Sequence, residues 1–223
     1  MADFTWSYSS LKQYQNCPKQ YHEIRVLKNY TVKENEAMIY GKEVHTALEN
    51  YVRDGVELAK NYQRFKPVVD SLIQIKGKKM CEYEMALNYH KEPCDFKDKN
   101  RWVRGIADLV IVDGPDAYII DYKTGSNKYP DPKQLKLMAI MLFTHMPEVV
   151  KVKAGLLFIM KNSFLTEEYH RKDIDKLWKS FEQPLKRLET SYDYDKWEAN
   201  PTPLCKWCSV DTCEFYRPKF FPS

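Results

Sequence analysis

The sequence predicts an α/β or α+β domain built around a mixed β-sheet. The predicted elements follow the order αα…βββαββα, in which one helix separates two groups of strands. The 223 residues are 43% hydrophobic and 30% charged with only 7 glycines, a globular composition that excludes a disordered or fibrous chain. This length is enough for a substantial hydrophobic core, so we predict a single domain over residues 1–223.

Two helical segments are predicted before the first strand. Apolar residues recur every three or four positions over residues 7–28, which predicts a first helix that Pro18 divides. The same spacing over residues 36–59 predicts a second helix, with His45 at the edge of its apolar face.

Three strands are predicted next. Apolar and polar residues alternate over residues 79–90, 101–112 and 117–123. The last two of these segments are separated by Asp113-Gly114-Pro115-Asp116, a strong turn signal. We therefore expect them to form neighbouring antiparallel strands.

The second half of the chain predicts a helix, a hairpin and a last helix, over residues 131–145, 151–170 and 173–190. Asp131 is expected to cap the first of these helices, with Pro132 in its first turn. The hairpin is expected to turn at Asn162 and Ser163. Pro184 is expected to kink or break the last helix, and a tail rich in proline and cysteine follows.

Two aspartates are expected to face each other across the predicted hairpin. If residues 113–116 form an even-length turn, the register that pairs Val112 with Ala117 also pairs Asp108 with Asp121. Their Cβ atoms would then lie about 4.5–5.5 Å apart, where two like charges repel. A divalent cation between them would remove this repulsion, and carboxylate oxygens suit Mg²⁺ or Mn²⁺.

Lys123 shares a strand face with Asp121, since side chains alternate along a strand. Spacing alone leaves two interpretations equally open, a metal site and a buried Asp–Lys pair. A third interpretation, that both aspartates face solvent, is disfavoured because their predicted face also carries Ile106, Val110 and Ile119.

The two motifs resemble a known nuclease family. Gly105-x-x-Asp108 followed by Asp121-x-Lys123 resembles the core of the PD-(D/E)XK nucleases, and more narrowly the RecB-type exonucleases, including RecB-like CRISPR-associated and phage nucleases. Further motifs resemble that subfamily in the same order: Ser7-x-Ser9-x-Leu11 leading into Cys17-Pro18, Gly41-Lys42-Glu43-Val44-His45 with Leu48-Glu49, and Gln134-Leu135. Met138 stands at the tyrosine position of the family's Gln-x-x-x-Tyr motif, which leaves the tyrosine's usual DNA contact open and the metal site complete.

The resemblance implies a restriction-endonuclease-like core and a set of site residues. Its metal ligands would be His45, Asp108, Asp121 and the backbone carbonyl of Tyr122. Lys123 would be the catalytic lysine, and Gln134 would position Lys123 or the DNA. Glu82 and Glu84 share a face of the preceding strand, and one of them is expected to reach the metal through water; we assign Glu84. Without the resemblance, His45 would be interpreted as a histidine at the edge of the core.

Four cysteines form a second candidate site. Cys205-x₂-Cys208-x₄-Cys213 has the close spacing of metal ligands, and Cys17 could supply a fourth thiolate. The chemistry leaves Zn²⁺ and a four-iron cluster open. The resemblance implies the 4Fe–4S cluster called an iron staple, with residues 1–30 and 200–223 forming the cluster subregion.

The resemblance implies a Mg²⁺- or Mn²⁺-dependent exonuclease that acts on single-stranded DNA ends. The chain has no Gly-x₄-Gly-Lys-Ser/Thr motif, so a helicase or a recombination or repair partner would have to supply unwinding. We expect a cytoplasmic protein of a bacterium or phage-infected cell, with no membrane contact, because no signal peptide or long apolar run is present. The alternatives are a catalytically silent DNA-binding or adaptor protein and a Zn-stabilised nucleic-acid-binding protein. Strand polarity, pathway and oligomeric state stay open.

Overall fold

The computed structural model describes residues 4–32, 34–126, 128 and 130–217. The chain divides into two compact units: Asn35–Ser180 forms one, and Met1–Glu34 with Phe181–Ser223 forms the other. We call them the sheet unit and the terminal unit. The single domain with a terminal subregion stays a prediction. Among the described residues, no helix is both long and apolar enough to cross a bilayer.

A six-stranded mixed sheet forms the centre of the sheet unit; the mixed sheet and five of its strands were predicted, and the short strand β2 was not. Its spatial order is β2-β1-β3-β4-β5-β6, and all neighbours are antiparallel except the parallel pair β4 and β5. The strands are β1 Lys78–Asn88, β2 Pro93–Cys94, β3 Arg101–Asp113, β4 Asp116–Lys123, β5 Lys151–Phe158 and β6 Ser163–His170. With helices flanking it, this is the restriction-endonuclease-like α/β core.

The hairpin between β3 and β4 has the predicted register. Asp113 pairs with Asp116 and Val112 with Ala117, so the turn residues between them are Gly114 and Pro115. Gly114 has a φ of 60°, a conformation that glycine adopts without steric cost. The hairpin at the end of the sheet is also confirmed, since β5 and β6 are antiparallel neighbours.

Helices α3 (Glu36–Asp54) and α4 (Lys66–Ile73) pack on the sheet. The side chain of Asn35 caps α3 by accepting a hydrogen bond from the backbone N–H of Met38, at 3.0 Å. The helix ends before Gly55, whose φ is 69°, and not at residue 59 as predicted. The core beneath these helices includes Val44, Leu48, Tyr51, Val69, Leu72, Leu109, Ile111, Ile120, Tyr122 and Leu157.

Helix α5 (Lys133–His145) connects the parallel strands β4 and β5. Such a crossover usually packs on the sheet, and its residues from Leu137 to Phe143 are all buried. Asp131 accepts a hydrogen bond from the backbone N–H of Lys133 at 3.1 Å. The helix begins at Lys133, so Pro132 directly precedes it and does not lie in its first turn as predicted.

The terminal unit contains α1 (Tyr8–Asn16), the single turn α2 (Pro18–Tyr21) and a π-helical turn at His22–Val26. Pro18 thus divides the first predicted helix, as expected. Helix α6 (Ile174–Tyr194) begins in the sheet unit and continues through Pro184 as one helix, so of the predicted kink or break the break is absent. Short 3₁₀ turns complete the described structure at Gln63–Phe65, Arg171–Asp173 and Pro203–Trp207.

Candidate active site

Asp108 on β3 is fixed by the backbone of β4. The β3–β4 ladder ends with the pair Leu109–Ile120, so Asp108 and Asp121 occupy the next position in that register. In place of a further ladder pair, the backbone N–H of Tyr122 donates to Asp108 Oδ2 at 2.6 Å. Both carboxylates are largely buried, with 12% of the Asp108 side chain and 7% of the Asp121 side chain exposed.

The apolar surroundings predicted for this pair are only partly present. Val110 and Ile119 are fully buried, but Ile106 is 37% exposed. The face that carries the two carboxylates is therefore partly exposed at Ile106.

His45 on α3 points its ring towards Asp108. Its Nδ1 atom lies 3.3 Å from Asp108 Oδ1, and its ring packs edge-on against the ring of Tyr122. Burial alone would lower the pKa of His45, but the hydrogen bond and charge of Asp108 raise it above its usual value. The structure therefore brings together two of the predicted metal ligands, His45 and Asp108.

Glu82 completes this group, and Glu84 does not. Within the described part of the chain, the one group of three or more potential metal ligands whose donor atoms all lie within 4.8 Å of one another is His45, Glu82 and Asp108. Burial and the negative charge of Asp108 raise the pKa of Glu82 to about 7. Glu84 is exposed and pairs with Ile106 on β3, so the structure places Glu82 rather than Glu84 beside His45 and Asp108, and the role of Glu84 stays a prediction.

Alternation favours neither glutamate because both share a strand face, and the register of β1 against β3 separates them by placing Glu82 level with Asp108. Cys81 pairs with Leu109 and Tyr83 with Ala107, but Glu82 between them has a φ of 47°. Left-handed conformations of non-glycine residues are strained and concentrate at functional sites. Such a local departure from strand geometry leaves no signal in a hydrophobic pattern.

Asp121, Lys123 and Gln134 form a second, adjoining group. Lys123 Nζ lies 2.5 Å from Asp121 Oδ2. The side-chain amide of Gln134 donates to Asp121 Oδ1 at 2.6 Å, and its carbonyl oxygen accepts from Lys123 Nζ at 3.1 Å. Burial raises the pKa of Asp121 against the opposing charge of Lys123. The predicted proximity of Gln134 to Lys123 is thus present.

Asp121 Oδ2 is the atom of this group best placed to take a further ligand role. It is buried, and among the described residues its contact is the ion pair with Lys123 Nζ, without a hydrogen bond of normal geometry. The side chain of Tyr122 is buried and its backbone N–H is used by Asp108. The role of the Tyr122 carbonyl as a metal ligand stays a prediction.

An open cavity of about 410 Å³ leads to this site from the α3 side. It is lined by Gly41, Lys42, His45, Thr46, Glu49 and Glu82. Gly41 allows the close approach of α3 to the end of β4, because a Cβ atom there would lie 3.1 Å from Thr124 Oγ1.

Met138, at the position where the resembling family has tyrosine, lies in the core. Only 4% of the residue is exposed. Its Sδ atom lies 3.1 Å from where a Cβ on Gly105 would stand, so the absence of a side chain at Gly105 makes room for it. The side chain is therefore not placed to contact DNA.

The four predicted cluster cysteines line one cavity of about 260 Å³ in the terminal unit. Backbone N–H groups donate to two of the sulfur atoms, from Gln20 and Asn200 to Cys17 at 3.5 Å and from Thr202 to Cys205 at 3.4 Å. The side-chain amide of Gln20 donates to Cys208 at 3.3 Å. Such donors stabilise thiolates, the form that binds metal.

The sulfur atoms are more widely spaced than the ligands of one zinc ion. No three of these four described cysteines bring their Sγ atoms within 4.8 Å of one another. Tetrahedral Zn–S bonds of about 2.3 Å would place the sulfurs about 3.8 Å apart.

Comparison with known proteins identifies the family. The family model described as the PD-(D/E)XK nuclease superfamily matches residues 5–213. The chain belongs to this superfamily. The matched range of this PD-(D/E)XK protein includes Asp108, Asp121, Lys123 and the four cysteines of the candidate cluster.

Solved structures share the fold of this PD-(D/E)XK protein at low sequence identity. One is a protein of Eubacterium rectale provisionally named an exonuclease, with a TM-score of 0.57 and 12% identity over 98% of this chain and 90% of that one. Another is a protein named SSO0001, with 15% identity over 97% of this chain and 89% of that one; its TM-score of 0.48 is too low to support an argument. No curated protein matches the chain significantly by sequence.

Proposed function

We propose that the protein is a metal-dependent deoxyribonuclease of RecB-like type that degrades single-stranded DNA from its ends. The observation that carries this proposal is the convergence of His45, Glu82 and Asp108 beside the Asp121–Lys123 pair. Superfamily membership supports nuclease activity. The RecB-like motifs and the name of the Eubacterium rectale protein support the choice of an exonuclease.

The donor set fits Mg²⁺ or Mn²⁺. Metal–oxygen bonds of about 2.1 Å place two ligands of one ion at most about 4.2 Å apart, and the donor atoms of His45, Glu82 and Asp108 already lie within 4.8 Å of one another. The buried Asp121 Oδ2 would be a further ligand, with the backbone carbonyl of Tyr122. An imidazole among the ligands makes Mn²⁺ a good activator beside Mg²⁺.

The chain's own groups have distinct roles in hydrolysis. When bound, the metal would supply an acidified water and neutralise charge on the phosphate. Lys123 Nζ would orient the attacking water or stabilise the negative charge of the transition state. Gln134 holds Lys123 and Asp121 in position through its two hydrogen bonds, and the N–H of Tyr122 holds Asp108.

We assign a 4Fe–4S cluster to Cys17, Cys205, Cys208 and Cys213, with Zn²⁺ as the alternative. The shared cavity and the N–H donors to sulfur support a metal centre there, and the RecB-like motifs support the cluster over Zn²⁺. Because its ligands come from both ends of the sequence, the cluster would stabilise the terminal unit by closing a long loop.

DNA would be the substrate, and a helicase or a repair partner would supply unwinding.

The test is degradation of single-stranded DNA labelled at the 5′ or the 3′ end, with Mg²⁺, with Mn²⁺ and with EDTA. The wild-type protein is expected to release label only with metal, and Asp121→Ala is expected to release none. The label released first gives the polarity. Cleavage that persists in EDTA or in Asp121→Ala would refute the proposal. Metal-independent DNA binding without cleavage of single strands or duplexes would instead indicate the adaptor protein.

A further inference from the structure

Three side chains meet beside the end of β4 in an arrangement that the proposed chemistry does not use. Arg64 Nη2 donates to Tyr40 Oη at 3.0 Å and lies 3.2 Å from Met160 Sδ. The Tyr40 hydroxyl also lies 3.7 Å from the same sulfur atom. We call Tyr40, Arg64 and Met160 the Arg64 cluster.

The Arg64 cluster is continuous with the candidate active site through the backbone. Tyr40 directly precedes Gly41, which lines the His45 cavity and approaches Thr124. On the other side, the backbone N–H of Ile159 donates to the carbonyl of Lys123 at 3.0 Å, so Met160 follows directly after a residue bonded to the proposed catalytic strand. Tyr40 and His45 lie on the same helix, about 7.5 Å apart along its axis, so the Arg64 cluster is close to the site in the chain as well.

The charge of Arg64 is held in place but not neutralised. Its neighbours are a phenol, a thioether and the ring of Phe65, whose centroid lies 4.8 Å from the guanidinium carbon. Within the described part of the chain, Arg64 has no carboxylate within ion-pair distance, whereas Arg53 on α3 pairs with both Glu49 and Asp54. An exposed, oriented guanidinium with free N–H groups is suited to bind a phosphate.

The Arg64 cluster also exposes apolar surface. Met160 is 39% exposed, and Met38 and Ile39, which directly precede Tyr40 in the chain, are 40% and 46% exposed. Tyr40 itself is half-buried, with its ring 6.2 Å from that of Tyr62. A cation next to an aromatic and thioether surface matches an unpaired nucleotide, which offers a phosphate and the face of a base; a duplex keeps those faces stacked.

We propose that the Arg64 cluster binds an unpaired nucleotide of the substrate strand, with Arg64 on its phosphate and with Tyr40 and Met160 against its base. This subsite rests on the proposed function and extends it, because it selects single-stranded over duplex DNA. Arg64 and Tyr40 are binding residues here, outside the metal site.

The test measures binding in EDTA, where the proposed enzyme does not cleave. Fluorescence anisotropy gives the affinity for a labelled short oligothymidylate and for an abasic strand of the same length. Tyr40→Leu is expected to weaken oligothymidylate binding about 5- to 100-fold, because the variant loses the ring that packs against the base. It is expected to leave abasic-strand binding unchanged, because that strand has no base for Tyr40 to contact. Tyr40→Phe keeps the ring and is expected to retain most of the affinity.

Arg64→Leu is expected to weaken binding of both strands and to reduce the slope of log affinity against log salt by about 0.7, the value for one phosphate contact on a single strand. Arg53→Leu is the matched control, an exposed arginine of α3 that is already paired, and it is expected to change neither quantity. Circular dichroism and melting curves confirm that each variant is folded.

Two results would overturn the subsite. The first is a slope of log affinity against log salt for Arg64→Leu that equals the slope for Arg53→Leu. The second is a loss of affinity for Tyr40→Leu that is the same for the oligothymidylate and for the abasic strand. If the wild-type protein cleaves DNA and either result is found, only the subsite fails. If the wild-type protein neither binds nor cleaves DNA, the proposed function fails as well.

Discussion

The backbone N–H of Tyr122 donates a hydrogen bond of 2.6 Å to the carboxylate of Asp108. The two carboxylate oxygens of Asp108 therefore have different partners. Oδ2 is held by the neighbouring strand, and Oδ1 lies 3.3 Å from His45 Nδ1 on the side of the cavity. The hairpin therefore orients a buried negative charge before any ligand arrives, which reduces the cost of assembling a metal site.

Asp108→Asn is expected to keep the fold and lose the metal. An asparagine oxygen can still accept from the Tyr122 N–H, but the charge that attracts a cation is gone. We expect the affinity for Mn²⁺, measured by calorimetry, to fall at least about 10-fold and cleavage to fall with it. A wild-type Mn²⁺ affinity in a folded Asp108→Asn variant would remove Asp108 from the ligands.

Glu82→Gln and Glu84→Gln form a matched pair two residues apart on one strand. Only Glu82 belongs to the group with His45 and Asp108, so only its substitution is expected to weaken Mn²⁺ binding, by about 10-fold or more. Mn²⁺ titrations of both variants measure the difference. A loss of Mn²⁺ affinity for Glu84→Gln alone would support Glu84, the residue assigned from the sequence. Equal losses of affinity in the two variants would contradict the choice of Glu82 over Glu84.

Gln134→Ala is expected to lower the rate of cleavage more than the affinity for metal. It removes the hydrogen bonds at 2.6 Å and 3.1 Å that position Asp121 and Lys123, and the loss of such a supporting contact costs about 10- to 100-fold. Single-turnover rates at saturating Mn²⁺ measure this effect. Lys133→Ala, at the exposed neighbouring position, is the control and is expected to cleave at the wild-type rate.

Cys17→Ser is expected to abolish the cluster, whereas Cys94→Ser is not. Cys17 lines the cavity that also contains Cys205, Cys208 and Cys213, and Cys94 lies on the short strand β2 of the sheet unit. Visible absorbance and iron analysis after anaerobic purification measure the outcome. Colourless wild-type protein that contains zinc would refute the iron cluster and leave the zinc alternative.

Met138→Tyr is expected to destabilise the protein and to gain no DNA contact. The larger ring would have to enter the buried space against Gly105, and such overpacking costs about 1–3 kcal/mol. Met138→Leu keeps a similar volume and is expected to cost less than about 1.5 kcal/mol. Urea unfolding gives both values. A Met138→Tyr variant with wild-type stability and tighter DNA binding would show that this position faces the substrate.

The five long strands of the sheet, and the carboxylates on them, follow from periodicity and turn chemistry. The Asp113–Asp116 turn set the register that places Asp108 and Asp121 at one level, and residue order alone linked Asp121 with Lys123. The family motifs identified Gln134, which lies eleven residues beyond Lys123 and contacts it. None of these inferences needed a side-chain conformation.

What could not be predicted depends on local backbone geometry and on tertiary contacts. The choice between Glu82 and Glu84 is decided by the register of β1 against β3, which places Glu82 level with Asp108 and pairs Glu84 with Ile106, and which periodicity does not encode. The exposure of Ile106 and the continuity of α6 through Pro184 likewise depend on packing. The contact of Arg64 with Met160 joins residues 96 positions apart and has no sequence signal.

The most direct test of the metal-dependent nuclease measures Mn²⁺ binding and single-strand cleavage on the same samples of wild-type, Asp121→Ala and Lys123→Ala protein. Wild-type protein is expected to bind Mn²⁺ and cleave, and Asp121→Ala to lose both properties. Lys123→Ala is expected to bind Mn²⁺ and DNA without cleaving, because Lys123 acts on the water or the transition state and is not a ligand. Cleavage by Lys123→Ala at the wild-type rate would contradict the account.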